Sequence, residues 1–236
     1  MKEYTVMPIG SSFVWDEIPR AQIDSYPWGQ AYMPRTFAQL VLRPGDCFLL
    51  RMVCEECEPR AIYRNYNDPV YTDSCMEFFA SYCDTDARYI NMEMNANGTL
   101  LSCVGADRQS RVPLADLTGG QLPGVCAERH GGAWILHAQI PLSLLKQVYG
   151  ISPDTFAPGF AFRGNFYKCG DKTDVAHYGM WNPVLTPTPD FHRPEFFRQP
   201  ARQSMLANWF RRRKRTRQSA FSPSSYQHHP IFAGHK

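Results

Sequence analysis

Residues 68–101, DPVYTDSCMEFFASYCDTDARYINMEMNANGTLL, put aromatic, acidic and amide side chains at the two-residue spacing of a strand. Tyr89, Asn91, Glu93 and Asn95 alternate with Ile90, Met92 and Met94, so one face carries a ring, two amides and a carboxylate. A strand that only faces water carries Lys, Thr or Ser. This set instead suits the hydroxyls and C–H faces of a polyol or sugar, through hydrogen bonds and ring stacking. A solvated sheet face is the competing reading, and this segment alone leaves both open. Upstream, Tyr71 and Glu77 lie three alternations apart, and a straight strand would turn both to one face. Arg163 and Asn165 repeat the polar chemistry further along the chain.

The elements that position these residues are short and alternating. Strands are expected at 37–42, 48–54, 76–81, 89–95, 100–104, 134–140 and 160–168, with a tight turn at Asn97-Gly98. Trp134, Leu136, Ala138 and Ile140 read as a core face. Phe160, Phe162 and Phe166 do the same, which leaves Arg163, Asn165 and Tyr167 on the other side. That strand and 89–95 are expected to share a sheet. Pro141 opens one short helix, LSLLKQVY, which Gly150 stops. Residues 16–28 form a Pro-bearing lead-in packed across the body. The whole is expected to be all-β, a two-sheet antiparallel β-sandwich of jelly-roll type.

The 236 residues, 14% aromatic and with 19 prolines, suit one large β domain. No run of about twenty apolar residues is present, so no membrane span is expected. The start lacks an apolar signal region, which implies a cytoplasmic protein, or an extracellular one if the chain is a trimmed mature form. The eight cysteines are then free thiols acting as small hydrophobes. Cys54 and Cys57 form a CxxC without the second pair that a zinc finger requires. Eight of the 25 Lys and Arg but none of the 22 acids fall in residues 199–236, leaving the body at about −5. Nucleic acid is therefore not an expected partner of the body. Residues 1–198 are expected to form the sandwich, and residues 199–236, which include RRRKRTR, a disordered basic tail.

The segments DPVYTDSCMEFF, YINMEMNANGTLL, FRGNFYKCGD and HYGMWNPVLTPTPDFHRPEFF, in this order, resemble carbohydrate-binding module family 9-like proteins, over roughly residues 15–197. The resemblance implies a β-sandwich related to the DOMON domains and a slot between two aromatic rings flanked by acid, amide and guanidinium groups. Tyr71 stands where one ring of the clamp is expected, Glu77 is the acid of the following strand, and Trp181 stands for the opposite ring. Tyr71 replaces the usual tryptophan, and His177 and Tyr178 stand where an amide is expected. Asn91, Glu93, Arg163 and Asn165 join the candidate site by strand geometry. His192 and Arg193 are expected to lock the C-terminal segment onto the sandwich rather than to touch ligand.

The expected function is thus non-catalytic binding of a mono- or oligosaccharide end by a monomer. A glycoside hydrolase using Glu77 and Glu93 is the enzymatic alternative, against which an exposed sheet face offers little to raise a carboxyl pKa. A DOMON-like heme protein is the third reading, with Met92, Met94, Met180 and His177 as available ligands. No cofactor is expected. The calcium alternative would draw on the loop carboxylates Asp68, Asp73, Asp84 and Asp86, whose other role is turn formation.

Overall fold

A computed structural model describes residues 2–157 and 159–197. The basic tail expected at 199–236 lies outside the described residues. Among the described residues twelve strands form, in chain order: β1 (Met7–Pro8), β2 (Ala21–Ile23), β3 (Thr36–Arg43), β4 (Cys47–Cys54), β5 (Cys75–Ser81), β6 (Tyr89–Asn95), β7 (Leu100–Gly105), β8 (Val112–Pro113), β9 (Gly124–His130), β10 (Ala133–Pro141), β11 (Arg163–Gly170) and β12 (His177–Met180). Two short helices, α1 (Leu114–Leu117) and α2 (Leu142–Tyr149), lie between them. None of the described helices is long and apolar enough to cross a membrane.

The strands assemble into two six-stranded sheets. One runs β1-β3-β4-β10-β9, with β2 also on β3; the other runs β12-β11-β5-β6-β7-β8. Every pairing is antiparallel except the two-residue β1–β3 contact, which is parallel. The alternation seen in sequence decides what fills the space between sheets. Met76, Phe78, Met92, Met94 and Phe166 from the second sheet meet Leu40, Phe48, Leu50, Met52, Trp134 and Leu136 from the first. Phe78 and Phe166 stack at 5.0 Å, a pair worth about 0.5–1.5 kcal/mol beyond its buried area.

Local signals hold at both turns. Gly98 adopts φ +76°, closing the β6–β7 hairpin, with the Asn95 side chain accepting from the amides of Asn97 and Thr99. Gly150 takes the left-handed C-cap of α2 and donates to the Lys146 carbonyl at 2.8 Å. The lead-in packs as expected. Ile18 joins Val41 on the outer face of the first sheet, and Gln39 Nε2 donates to the carbonyls of Trp15 and Ile18.

The outer face of the second sheet differs from the solvated-face reading. All seven residues of β6 are buried. A second apolar cluster covers that face, where Phe79, Tyr89 and Tyr167 from the strands meet Val184, Phe191 and Phe197 from the chain after β12. Beside this cover a cleft opens among the described residues, and the candidate site lies there.

Candidate functional site

The opening is a cleft of about 410 Å³, within the range of small-ligand sites. Its floor comes from three adjacent strands. Glu77 on β5 and Glu93 on β6 are direct cross-strand partners, and Cys169 on β11 lies beside Glu77, with its Sγ 2.9 Å from Glu77 Oε1. One wall is the β7–β8 connection carrying Arg108 and Arg111. Gly105 permits that connection, because a Cβ there would lie 2.7 Å from the Arg111 Cα. The Asp107 carboxylate shapes the turn by accepting from the amides of Gln109 and Ser110. The other walls are Tyr71, in a single turn at Val70–Thr72, Asp171 and Tyr178 flanking the β11–β12 turn, and Asp190, Phe191 and His192 from the covering segment.

Burial sets the electrostatics. It pushes Glu77 well above the usual carboxylate range, and the neighbouring Cys169 and Glu93 add to the shift. Burial also lifts Glu93 to about 7 against the opposing pull of Arg111, Arg108 and the Asn91 amide, which donates to Glu93 Oε1 at 2.9 Å. Both acids of the floor are therefore buried and shifted upward, contrary to the expectation from an exposed sheet face. His192 is driven down to about 2 by burial and then by Arg111 and Arg108. Its Nε2 lies 3.8 Å from Glu93 Oε1, but a neutral imidazole beside a partly protonated carboxyl is a polar contact rather than an ion pair. Tyr178 is raised to about 12 by burial and by the nearby Asp171 carboxylate. Arg111 Nη1 lies 3.7 Å from Glu93 and has no hydrogen-bond partner although it is buried; Asn91 Oδ1 is likewise unpartnered. Orphaned polar atoms at a cleft are where a ligand hydroxyl would supply the missing bond.

The structure brings together Tyr71, Glu77 and Glu93 of the sequence-expected set, with Asn91 directly behind as the group that orients Glu93. It places the other three elsewhere. Trp181 is packed between the sheets, its ring 5.7 Å from Phe166 and 6.3 Å from Tyr4. Asn165 is buried and clamps the chain after β12, donating to the Asn182 carbonyl and accepting from the Asn182 and Phe166 amides. Arg163 begins β11 and lies 4.0 Å from Asp84. His192, expected only to lock the C-terminal segment, does lock it, through a 2.9 Å bond between its Nδ1 and the Tyr89 hydroxyl, and also lines the cleft. Arg108, Arg111, Asp171, Tyr178 and Phe191 were not singled out as ligand contacts. The His177-Tyr178 departure from the family pattern pointed to Tyr178 alone; Asp171 and Phe191 lie within the resembling segments, and Arg108 and Arg111 outside them.

The groups considered for cofactors have protein partners. Asp73 is buried and accepts from the Ile62 and Tyr63 amides, and Asp68 from those of Arg64 and Asn65. Asp86 pairs with Arg88. Met92 and Met94 fill the inter-sheet core, Met180 Sδ accepts from the Val184 amide, and His177 Nε2 lies 2.6 Å from Lys168 Nζ. All eight cysteines are free, with Cys57 exposed.

Comparison with known proteins agrees with this architecture. A crystal structure of a Bacteroides uniformis ATCC 8492 protein assigned to carbohydrate binding superposes with a TM-score of 0.67 at 29% identity, covering 78% of this chain and 86% of that one. A carbohydrate binding module family 9 from Caldicellulosiruptor kristjanssonii, in complex with glucose, gives a TM-score of 0.59 at 12% identity, over 87% of this chain and 100% of that one. Its cellotriose complex gives 0.58 at 11% identity, over 87% and 97%. A search of curated proteins returns no match. The model of carbohydrate-binding family 9 matches residues 11–200, nearly the whole described sandwich, and the chain belongs to that family.

Proposed function

We propose that the outer-face cleft binds a mono- or oligosaccharide without transforming it, one sugar ring lying against Tyr71 and Tyr178 at the rim. The observation that carries this reading is the composition of the cleft: acids at its floor, and in its walls two tyrosine rings, an unpartnered guanidinium nitrogen and a neutral imidazole. A pyranose has C–H-rich faces that pack on rings at little entropic cost, and hydroxyls that both donate and accept. Protonated Glu77 would donate to a sugar oxygen, while Arg111 and Arg108 donate from the wall. Glu93, shifted to about 7, accepts when ionised. Membership of a carbohydrate-binding family supports the ligand class, as do the relatives solved with glucose and cellotriose.

The test is calorimetric titration with glucose and short β-glucan oligosaccharides. Tyr71 is 39% exposed, so Tyr71→Ala should leave the fold intact and weaken binding about tenfold or more, as loss of a stacking ring does. Tyr178→Ala should act in the same direction. Unchanged affinity in both variants would move the site away from this cleft.

A further inference from the structure

The cleft floor carries a second kind of chemistry. Cys75 and Cys169 are direct cross-strand partners in the β5–β11 pairing, and Glu77, two residues beyond Cys75, shares their face. The two sulfurs and a carboxylate oxygen all lie within 4.8 Å of one another. All three residues are at most 2% exposed. Among the described residues Glu77 has no cation paired with it: Arg111 approaches Glu93, and Lys168 turns through the sheet toward Glu56. A buried carboxyl beside two buried thiols is tolerable while all are protonated, and a bound cation would let all three ionise.

We infer that Cys75, Glu77 and Cys169 form a binding site for a thiophilic divalent cation of the zinc class. Sulfur donors disfavour calcium and magnesium, which take oxygen ligands, and two thiolates with one carboxylate are a donor set zinc accepts. Glu77 and Cys169 both line the cleft, so a fourth tetrahedral position faces the opening, where water completes the shell. Binding exchanges three protons, two from thiols and one from the carboxyl, for one dication. No group changes oxidation state. The cluster goes from neutral to a single negative charge, which Arg108 and Arg111 on the adjoining wall offset.

The test uses reduced, metal-free full-length protein titrated with Co²⁺. Sulfur-to-cobalt charge-transfer absorption and the intense visible bands of a tetrahedral site should appear, saturate at a single equivalent and disappear on addition of Zn²⁺. Cys75→Ser and Cys169→Ser should each remove about half of the charge-transfer intensity at saturation and weaken binding about tenfold or more. Cys57→Ser, which alters the exposed thiol of the CxxC, should change neither. Because serine in a buried thiol position can unfold the chain, the near-isosteric Glu77→Gln gives a second reading, with weaker Co²⁺ affinity and the charge-transfer band retained. Absence of the band in folded wild-type protein overturns the inference, as does a band that depends on Cys57 instead. Metal binding is read without saccharide, so its failure is distinct from failure of sugar binding.

Discussion

Replacing His192 with Gln should flatten the acid side of the stability curve. The ring is 9% exposed, tilted over Phe79 at 4.8 Å and bonded to the Tyr89 hydroxyl. Burial, with the Arg111 and Arg108 guanidiniums, lowers it from 6.5 to about 2. Glu93, nearby, offers no full anion below neutrality because its own value is about 7. Between pH 6.5 and about 2 the unfolded chain therefore holds a proton on His192 that the folded chain lacks. Its stabilising contribution is complete above 6.5 and is lost as pH falls, at about 1.4 kcal/mol per unit. From pH 6.5 to 5 that amounts to about 2 kcal/mol. The raised acids run the other way: their contribution is complete below the unfolded value of 4.5 and is lost as pH rises toward 7. The wild-type slope is thus partly cancelled, whereas the difference between the two proteins isolates His192. Gln keeps a polar end toward Tyr89 and cannot take up a proton. Urea unfolding at steps between pH 5 and 7 should show the variant gaining about 2 kcal/mol on wild type as pH falls through this window. Parallel stability curves would refute the argument and mean that residue 192 is readily protonated in the fold.

Three further outcomes follow from the packing. Lys168 is 0% exposed and lies 3.5 Å from Glu56, which also accepts from Trp134 Nε1 and Ser74 Oγ. Glu56→Gln strands the ammonium and should cost about 3–5 kcal/mol in chemical denaturation, while adding Lys168→Met should recover part of that loss; simple additivity would contradict the pairing. Trp181→Ala should cost about 3–5 kcal/mol of stability and leave the saccharide affinity of the folded fraction nearly unchanged, measured by calorimetry on the same preparation. Binding lost at full stability would put that ring in the cleft after all. Gly179→Ala drives a methyl against the Tyr26 ring, with the phenol oxygen at 2.6 Å, and should lower the urea midpoint by an amount equivalent to about 1–3 kcal/mol. An unchanged midpoint would mean that β12 slides freely past Tyr26.

Alternation made the strands legible because each strand of the sandwich has one face committed to the inter-sheet core. The 89–95 strand has the boundaries expected from sequence, and helix 142–149 lies between the Pro141 and Gly150 that announced it. The 160–168 strand begins later, at Arg163, because in the approach to the strand Phe160 packs on Phe156 and Phe162 on Phe48 and Tyr82. β9, GVCAERH, carried no clean alternation and was missed, since its residues are half-buried or exposed and nothing selects an apolar face. Tyr71 reaches the cleft from a turn rather than from a straight strand, so the spacing argument paired it with Glu77 for the wrong geometric reason.

What alternation cannot tell is what lies on the other side of the polar face. Glu77 and Glu93 looked like residues facing water, but residues 184–197, more than ninety positions beyond either of them in sequence, fold over that face. That cover turns a binding surface into a cleft. It removes water from the floor, raises both acids and, by the same desolvation, holds His192 neutral. A floor of neutral or half-ionised groups can match hydroxyls that each donate and accept, which a row of solvated carboxylates could not do without first giving up their hydration. The covering segment therefore governs the chemistry of the site as directly as the strands that carry the acids. Strand spacing within 68–101 could name the acids, but their protonation depends on a contact made only once the chain has returned across the sheet.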